Sequence, residues 1–241
     1  MLIRAATLGL ILVSLTGCGS AFANRSGSGV EATRLATSTA STATFDRWIE
    51  GFRARALSQG IENRTLDRAF AGVSFNADSL RRDAHQPEFS RPIWAYLDSA
   101  VSDTRIENGR AMLRDHASTL SAIEARYNVE REVVVAIWGL ESSYGQLRGT
   151  TPIIETLATL SYEGRRTAFF EEQLVAALRI LQSGDVAPSD MVGSWAGAMG
   201  HTQFIPTSYL EYAVDFNGDG RRDIWADDPT DALASAAAYL A

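Results

Sequence analysis

No lysine occurs in the 241 residues, and the chain carries only one cysteine, three histidines and six prolines. Every basic side chain of fixed charge is therefore an arginine, and acids outnumber them to give a formal net charge of −7. An acidic chain without a basic stripe has little with which to displace counterions from phosphates, which argues against nucleic acid as a partner. The same balance disfavours attraction to an anionic membrane surface. His85, His116 and His201 are far apart and form no metal-ligand pair, and neither HExxH nor GxSxG is present. Zinc hydrolysis and serine-elbow esterase chemistry thus lack their residues. One cysteine makes no internal disulfide. No apolar run reaches the ~20 residues that span a bilayer. What remains is carboxylate chemistry on a neutral ligand.

The cysteine is informative through its place. Cys18 closes an N-terminal stretch with Arg4 near the start and an apolar run from Leu8 to Leu15, the layout of a secretory signal peptide. Leu15-Thr16-Gly17-Cys18 resembles a bacterial lipobox, whose cysteine is lipidated and becomes residue one after cleavage. An ordinary signal peptide or an incidental thiol is the other reading. No aspartate follows Cys18 closely, Ser20 included, and such lipoproteins are expected, lipid-anchored, at the periplasmic face of the outer membrane. Residues 1–18 are therefore expected to be a leader. Residues 19–44, rich in Gly, Ser, Thr and Ala, read as a flexible tether because they offer almost no large apolar groups to bury. The folded part is expected over 45–241.

The folded part reads as mainly α. Phe45, Trp48, Ile49, Phe52 and Ala56 follow one helix face, with Gly60 where a C-terminal cap belongs. A second helix is expected from about Ile106 to Tyr127, with Leu113, Leu120, Ile123 and Tyr127 on one side. The segment Glu130 to Leu140 holds three consecutive valines that favour a strand. Its acidic start and continued apolar run favour a buried helix, the preferred reading. Further helices are expected from about Arg166 to Leu181, stopped near Gly184, and from Pro229 to Tyr239 with Asp228 as cap. No hairpin alternation and no internal repeat is evident.

Three segments carry candidate chemistry. Glu141 follows the apolar run Val133 to Leu140 and precedes Ser142-Ser143-Tyr144-Gly145. An acid at the end of a buried helix is partly dehydrated, and desolvation holds its proton to higher pH, as a general acid requires. An ordinary surface glutamate satisfies the same local pattern. The segment Ser194-Trp195-Ala196-Gly197-Ala198-Met199-Gly200-His201-Thr202-Gln203 allows close backbone approach. It suits either a ligand, with Ser194 and Gln203 as neutral donors and acceptors, or tight helix packing. Asp215-Phe216-Asn217-Gly218-Asp219-Gly220-Arg221 reproduces the first half of an EF-hand calcium loop. Position twelve is Ala226, so Asp227, Asp228 or Asp231 would have to close a site. An Asx-rich turn held by its own side chains is the alternative.

In this order the segments resemble the lytic murein transglycosylase B family of bacterial cell-wall enzymes. The resemblance rests on Trp138 to Gly145, Glu155 to Leu160, Gly197 to Pro206, the Asp215 loop and Asp231 to Ser235. It implies a lysozyme-like α domain with additional helices, an EF-hand-like loop and one catalytic acid, Glu141. It implies as substrate the β-1,4 bond between N-acetylmuramic acid and N-acetylglucosamine in peptidoglycan, cleaved without water to a 1,6-anhydromuramyl end, with no catalytic cofactor. Tyr96, Ser194, Gln203 and Tyr239 are carried over as substrate contacts. Asp215, Asn217, Asp219, the Arg221 carbonyl and Asp231 are carried over as ligands of a structural calcium. Members of the family continue past Leu240-Ala241, so the resemblance also implies a chain shortened at its C-terminus. A non-catalytic peptidoglycan-binding lipoprotein and a hydrolytic muramidase, with a second carboxylate, remain open readings.

Overall fold

A computed structural model of the chain describes residues 28–85 and 92–241, with side-chain surroundings from residue 43. The expected leader, Cys18 and the tether up to residue 27 lie outside the described residues. Among the described residues the chain is mainly α, with eleven helices and one two-stranded sheet.

Helix α1 runs Ser28–Ser58 and so begins inside the segment expected to be a structureless tether. Residues 31–44 contain neither glycine nor proline and several alanines. Nothing there stops a helix that is anchored further on from extending backwards. The anchor is the face read from the sequence: Phe45, Phe52 and Ala56 are buried, with Trp48 and Ile49 packed beside them. Phe45 meets Tyr162 edge-on at 5.5 Å and Trp48 stacks on Phe52 at 5.4 Å. The chain leaves through Gly60 at φ +86, a conformation that disfavours side chains.

Two apolar cores follow. The larger joins α1 to α2 (Asn63–Ala69), α8 (Ile153–Glu163), α9 (Thr167–Ser183) and α10 (Pro206–Tyr212). Helix α9 ends where expected, with Gly184 left-handed at φ +87. Helix α3 (Ala77–Ala84) is fastened to α8 by polar groups: the Ser79 and Thr156 hydroxyls lie 3.1 Å apart, and Asn76 N–H donates to Thr159 Oγ1 at 2.9 Å.

The smaller core is built from α6 (Ala117–Tyr127), α7 (Arg131–Ser142) and α11 (Thr230–Leu240), through Leu120, Ile123, Val135, Trp138 and Leu233. The triple-valine stretch is helical because Val134 and Val135 enter this core while Val133 faces water; packing overrides strand propensity. The single helix expected from Ile106 to Tyr127 is in fact two, α5 (Asp103–Asp115) and α6, parted at His116. The His116 ring packs edge-on to Trp138 at 5.4 Å, a tertiary contact that leaves no local sign. Helix α11 begins at Thr230 with Pro229, not the expected Asp228, in the N-cap place. Asp228 stands one residue earlier in an Asx turn, its Oδ1 accepting from the Thr230 N–H at 3.0 Å and its hydroxyl at 2.7 Å. Ala232 belongs to the larger core and the next residues to the smaller. Helix α4 (Ile93–Ala100) is held at its C-terminal end by Arg105 Nη1, which donates to the carbonyls of Ser99 and Ala100 at 2.9 and 2.8 Å.

Candidate active site

Glu141 is the penultimate residue of α7. Trp138 and Ser142 take the buried face, which leaves Glu141 half-buried on the wall of an open cleft of about 1450 Å³. Among the described residues its carboxyl group has no hydrogen-bond or ion-pair partner. Burial pushes its pKa from the usual 4.5 up to about 7, and no neighbouring charge contributes. Two other cleft acids are held ionised. The Arg82 hydrogen bond is the main cause that lowers Asp78. Burial raises Asp185, but hydrogen bonds from Arg222 and Ser183 outweigh it and the net direction is down. Of these three acids, Glu141 is the one poised to hold a proton near neutrality.

The turn after α7 is unusual. Ser143, Tyr144 and Gly145 are all left-handed, at φ 51, 60 and 82. Two non-glycine residues persist there only if their surroundings fix them. The Tyr144 hydroxyl donates to the Arg105 carbonyl at 2.7 Å, and its ring lies against Gly109 and Gly139. Ser142 Oγ accepts from Gly145 N–H at 2.9 Å and donates to the His201 carbonyl at 2.5 Å. A Cβ on Gly145 would run into the His201 ring.

Opposite lies the glycine-rich segment. It leaves the sheet of β1 (Thr151–Pro152) and β2 (Val192–Gly193), paired antiparallel with Thr151 across from Gly193. It then doubles back through mutual Met199–Phe204 hydrogen bonds of 2.8 and 3.0 Å. Gly200, at φ +70, presses on the Ile224 carbonyl, so close backbone packing is one use of the small residues. Ser194 and Gln203 nevertheless line the cleft with Glu141. Ser194 Oγ accepts from Ala198 N–H at 3.0 Å. Gln203 Nε2 donates to the Gly200 and Arg148 carbonyls at 2.8 and 3.2 Å, which leaves its Oε1 for a ligand donor.

The other two expected contacts stand elsewhere. Tyr239, on α11, packs edge-on to Tyr212 at 4.8 Å and against Phe204. Tyr96 is half-buried on α4. Neither lines the cleft around Glu141. Sequence reasoning missed Arg148, Trp195 and Trp225, which do line it, and the joining role of His201. The neighbourhood of His201 to Gln203 was the available signal.

The Asp215 loop brings carboxylate oxygens of Asp215, Asp219 and Asp231 within 4.8 Å of one another. Of the three candidate closing acids only Asp231 joins this group; Asp227 pairs with Arg148, and Asp228 accepts from Thr230 in the turn before α11. Asp231 is buried, and its carboxylate accepts from the N–H groups of Phe216, Asn217 and Asp223 at 2.9, 3.2 and 3.0 Å. Burial raises its pKa above the usual carboxylate value, with the Asp215 charge adding to the rise. Three converging carboxylates and the Asn217 amide are hard oxygen donors of the kind that hold Ca²⁺.

Fold and site together define a lysozyme-like, mainly α protein with one unpaired, proton-holding acid in an open cleft. Residues 44–241 match the family described as Transglycosylase SLT domain. The chain belongs to this family of lytic transglycosylases. It is 37% identical over 146 residues to membrane-bound lytic murein transglycosylase B of Escherichia coli strain K12, covering 60% of this chain and 40% of that one. Among solved structures, SltB3 from Pseudomonas aeruginosa in complex with NAG-NAM-pentapeptide aligns with a TM-score of 0.79 and 55% identity. That alignment covers 81% of this chain and 52% of the other. Slt35 from Escherichia coli in complex with calcium aligns with a TM-score of 0.70 and 32% identity, over 80% and 61%. The chain thus spans about half the length of the relatives it matches.

Proposed function

We propose that the protein is a peptidoglycan lytic transglycosylase that cleaves the bond from N-acetylmuramic acid to N-acetylglucosamine and releases 1,6-anhydromuramyl ends. The observation that carries this reading is Glu141: half-buried, without a partner, and with a pKa of about 7 caused by burial alone. Such a group is both protonated and deprotonated in useful amounts near neutral pH. Protonated Glu141 gives its proton to the bridging oxygen as the C1–O bond breaks. The positive centre at C1 is shielded by the substrate's acetamide. The carboxylate then takes the proton of the C6 hydroxyl while O6 bonds to C1, which restores the acid and consumes no water. A water-activating mechanism needs a second carboxylate with its own task. Of the other acids lining the cleft, Asp78 and Asp185 pair with arginines, Asp223 accepts from the Trp225 and Ala226 N–H groups, and Asp190 accepts from the Ser189 hydroxyl. Ser194 and Gln203 offer neutral groups to the sugars, and the SltB3 complex supports a glycan strand as ligand.

Two further readings go with it. Cys18 carries a lipid that holds the protein at the periplasmic face of the outer membrane. This is supported by the Leu15 to Cys18 pattern and by the membrane-bound E. coli relative. Among the described residues no helix is long and apolar enough to cross a membrane. The Asp215 loop binds a structural calcium through Asp215, Asn217, Asp219, the Arg221 carbonyl and Asp231, supported by the converging acids and by the calcium complex of Slt35. A bound cation would tie the loop to the start of α11 and takes no part in the chemistry.

Mass spectrometry of products released from purified sacculi tests the main proposal. Anhydromuramyl ends from the wild type, and none from Glu141→Gln, are expected. Reducing ends would make it a hydrolase; retained binding without release would make it a wall-binding module.

A further inference from the structure

We propose that His201, held as the neutral Nε2–H tautomer between Trp138 and the Ala226 carbonyl, is the positioning residue that sets how deeply Glu141 sits in the cleft. The proposal rests on the reading of Glu141 as the acid.

The tautomer follows from the partners. Trp138 Nε1 lies 3.0 Å from His201 Nδ1, and an indole N–H only donates, so Nδ1 must accept and carries no proton. The proton of the neutral ring is then on Nε2, which donates to the Ala226 carbonyl at 2.7 Å. Arg148 Nη1 is also 3.0 Å from Nε2, but both atoms are donors. Its own hydrogens go to the carbonyls of Trp225 and Ala226 at 3.0 and 2.8 Å. A second ring proton would have to sit on Nδ1, where it would break the Trp138 bond and set a cation beside Arg148. Burial opposes this first and Arg148 adds to it; the Ala226 hydrogen bond and the Asp227 and Asp223 charges pull the other way but are outweighed, so the ring is held below its usual pKa. The other titratable groups nearby are His116 and Tyr144, both edge-on to the Trp138 ring, and Asp228, whose charge is within reach of His201.

The main chain of the same residue completes the clamp. Its carbonyl accepts from Ser142 Oγ and its N–H donates to the Ile224 carbonyl at 3.1 Å. One buried residue therefore grips α7 at Trp138, three places before Glu141, and at Ser142, directly after it. The other end of the clamp is the wall at Ile224 to Ala226. Glu141 has no bond of its own, and its raised pKa comes from burial alone. Its exposure to water is thus decided by where its neighbours are fixed. Positions of catalytic groups need to be held within about half an ångström.

The test compares the full-length wild type with His201→Ala, His201→Asn, Trp138→Phe and the Ala/Phe double variant, using soluble uncrosslinked glycan strands as substrate. His201→Ala and Trp138→Phe are expected to lower kcat about tenfold or more with KM within about twofold, the double variant being no worse than His201→Ala. His201→Asn keeps an acceptor where Nδ1 was and should recover most of the turnover. The pH–rate profile of His201→Ala should show the Glu141 pKa displaced towards 4.5 as water enters. Turnover of His201→Ala within about twofold of wild type, a loss confined to KM, or an Asn variant as poor as the Ala variant would overturn the proposal. Independently of activity, nitrogen NMR of the wild type should find Nδ1 unprotonated; a proton there at neutral pH also overturns it. Should the wild type make no anhydro ends, the functional reading fails, while the NMR result still decides the tautomer.

Discussion

The Tyr144 ring lies against the bare Cα of Gly139, so close that a methyl group at 139 would come within 2.6 Å of the phenol oxygen. Glycine inside a helix ordinarily costs stability relative to alanine. Here it makes room for the residue that closes the turn after Glu141. Gly139→Ala is therefore expected to destabilise the protein by roughly 1–3 kcal/mol through overpacking, against the usual trend for glycine replacement in helices. Urea denaturation measures this; a more stable variant would show that Tyr144 is free to move aside.

The Glu141 pKa has a consequence for stability. Its folded value of about 7 lies above the usual 4.5, so the folded state holds a proton that the unfolded state releases between these values. The stabilising contribution is complete below about pH 4.5 and is lost as pH rises through about 7. Glu141→Gln removes the burden of a half-buried charge. The variant should be more stable than wild type at pH 8, by roughly 1–3 kcal/mol after allowing for partial exposure, and the gain should vanish near pH 4. Melting curves across pH read the difference directly.

Calcium, if held by the Asp215 loop, stabilises by mass action: about 2.7 kcal/mol at a hundredfold excess over Kd. Chelation by EDTA should lower Tm, and restored calcium should raise it. Asp231→Asn, at the buried corner of the acid cluster, should abolish the response. Coincident melting curves with EDTA and with calcium would refute the assignment.

Lipid attachment is tested through Cys18→Ser in cells. The wild type should partition with the outer membrane, and the variant should not. Equal partitioning of both would remove the anchor reading.

Much of this arrangement was legible in local pattern. The face from Phe45 to Ala56 and the stop at Gly184 each depend on residues within a turn or two of one another, and each is found. The parting of α5 and α6 at His116 was not legible, because its ring contact is with Trp138 on another helix. The helical backbone before Phe45 was hidden by composition, since Ala, Ser and Thr suit a tether as well as a helix. At the site, Glu141 stood out as an acid ending an apolar run. What surrounds it did not: Arg148, Trp225 and His201 converge through contacts between residues 25 to 77 positions apart. No spacing rule encodes that convergence.

Helix α11 threads between the two cores with alanine at most of its buried positions: Ala232, Ala234, Ala236 and Ala237. The smallest side chains thus act as a gauge for the distance between the lobes. Any larger residue there would work as a wedge, felt across the molecule as a change in spacing. Because both lobes close on the same narrow helix, neither has a private route to unfolding. Melting should proceed as one event, with the cleft and the acid loop lost together.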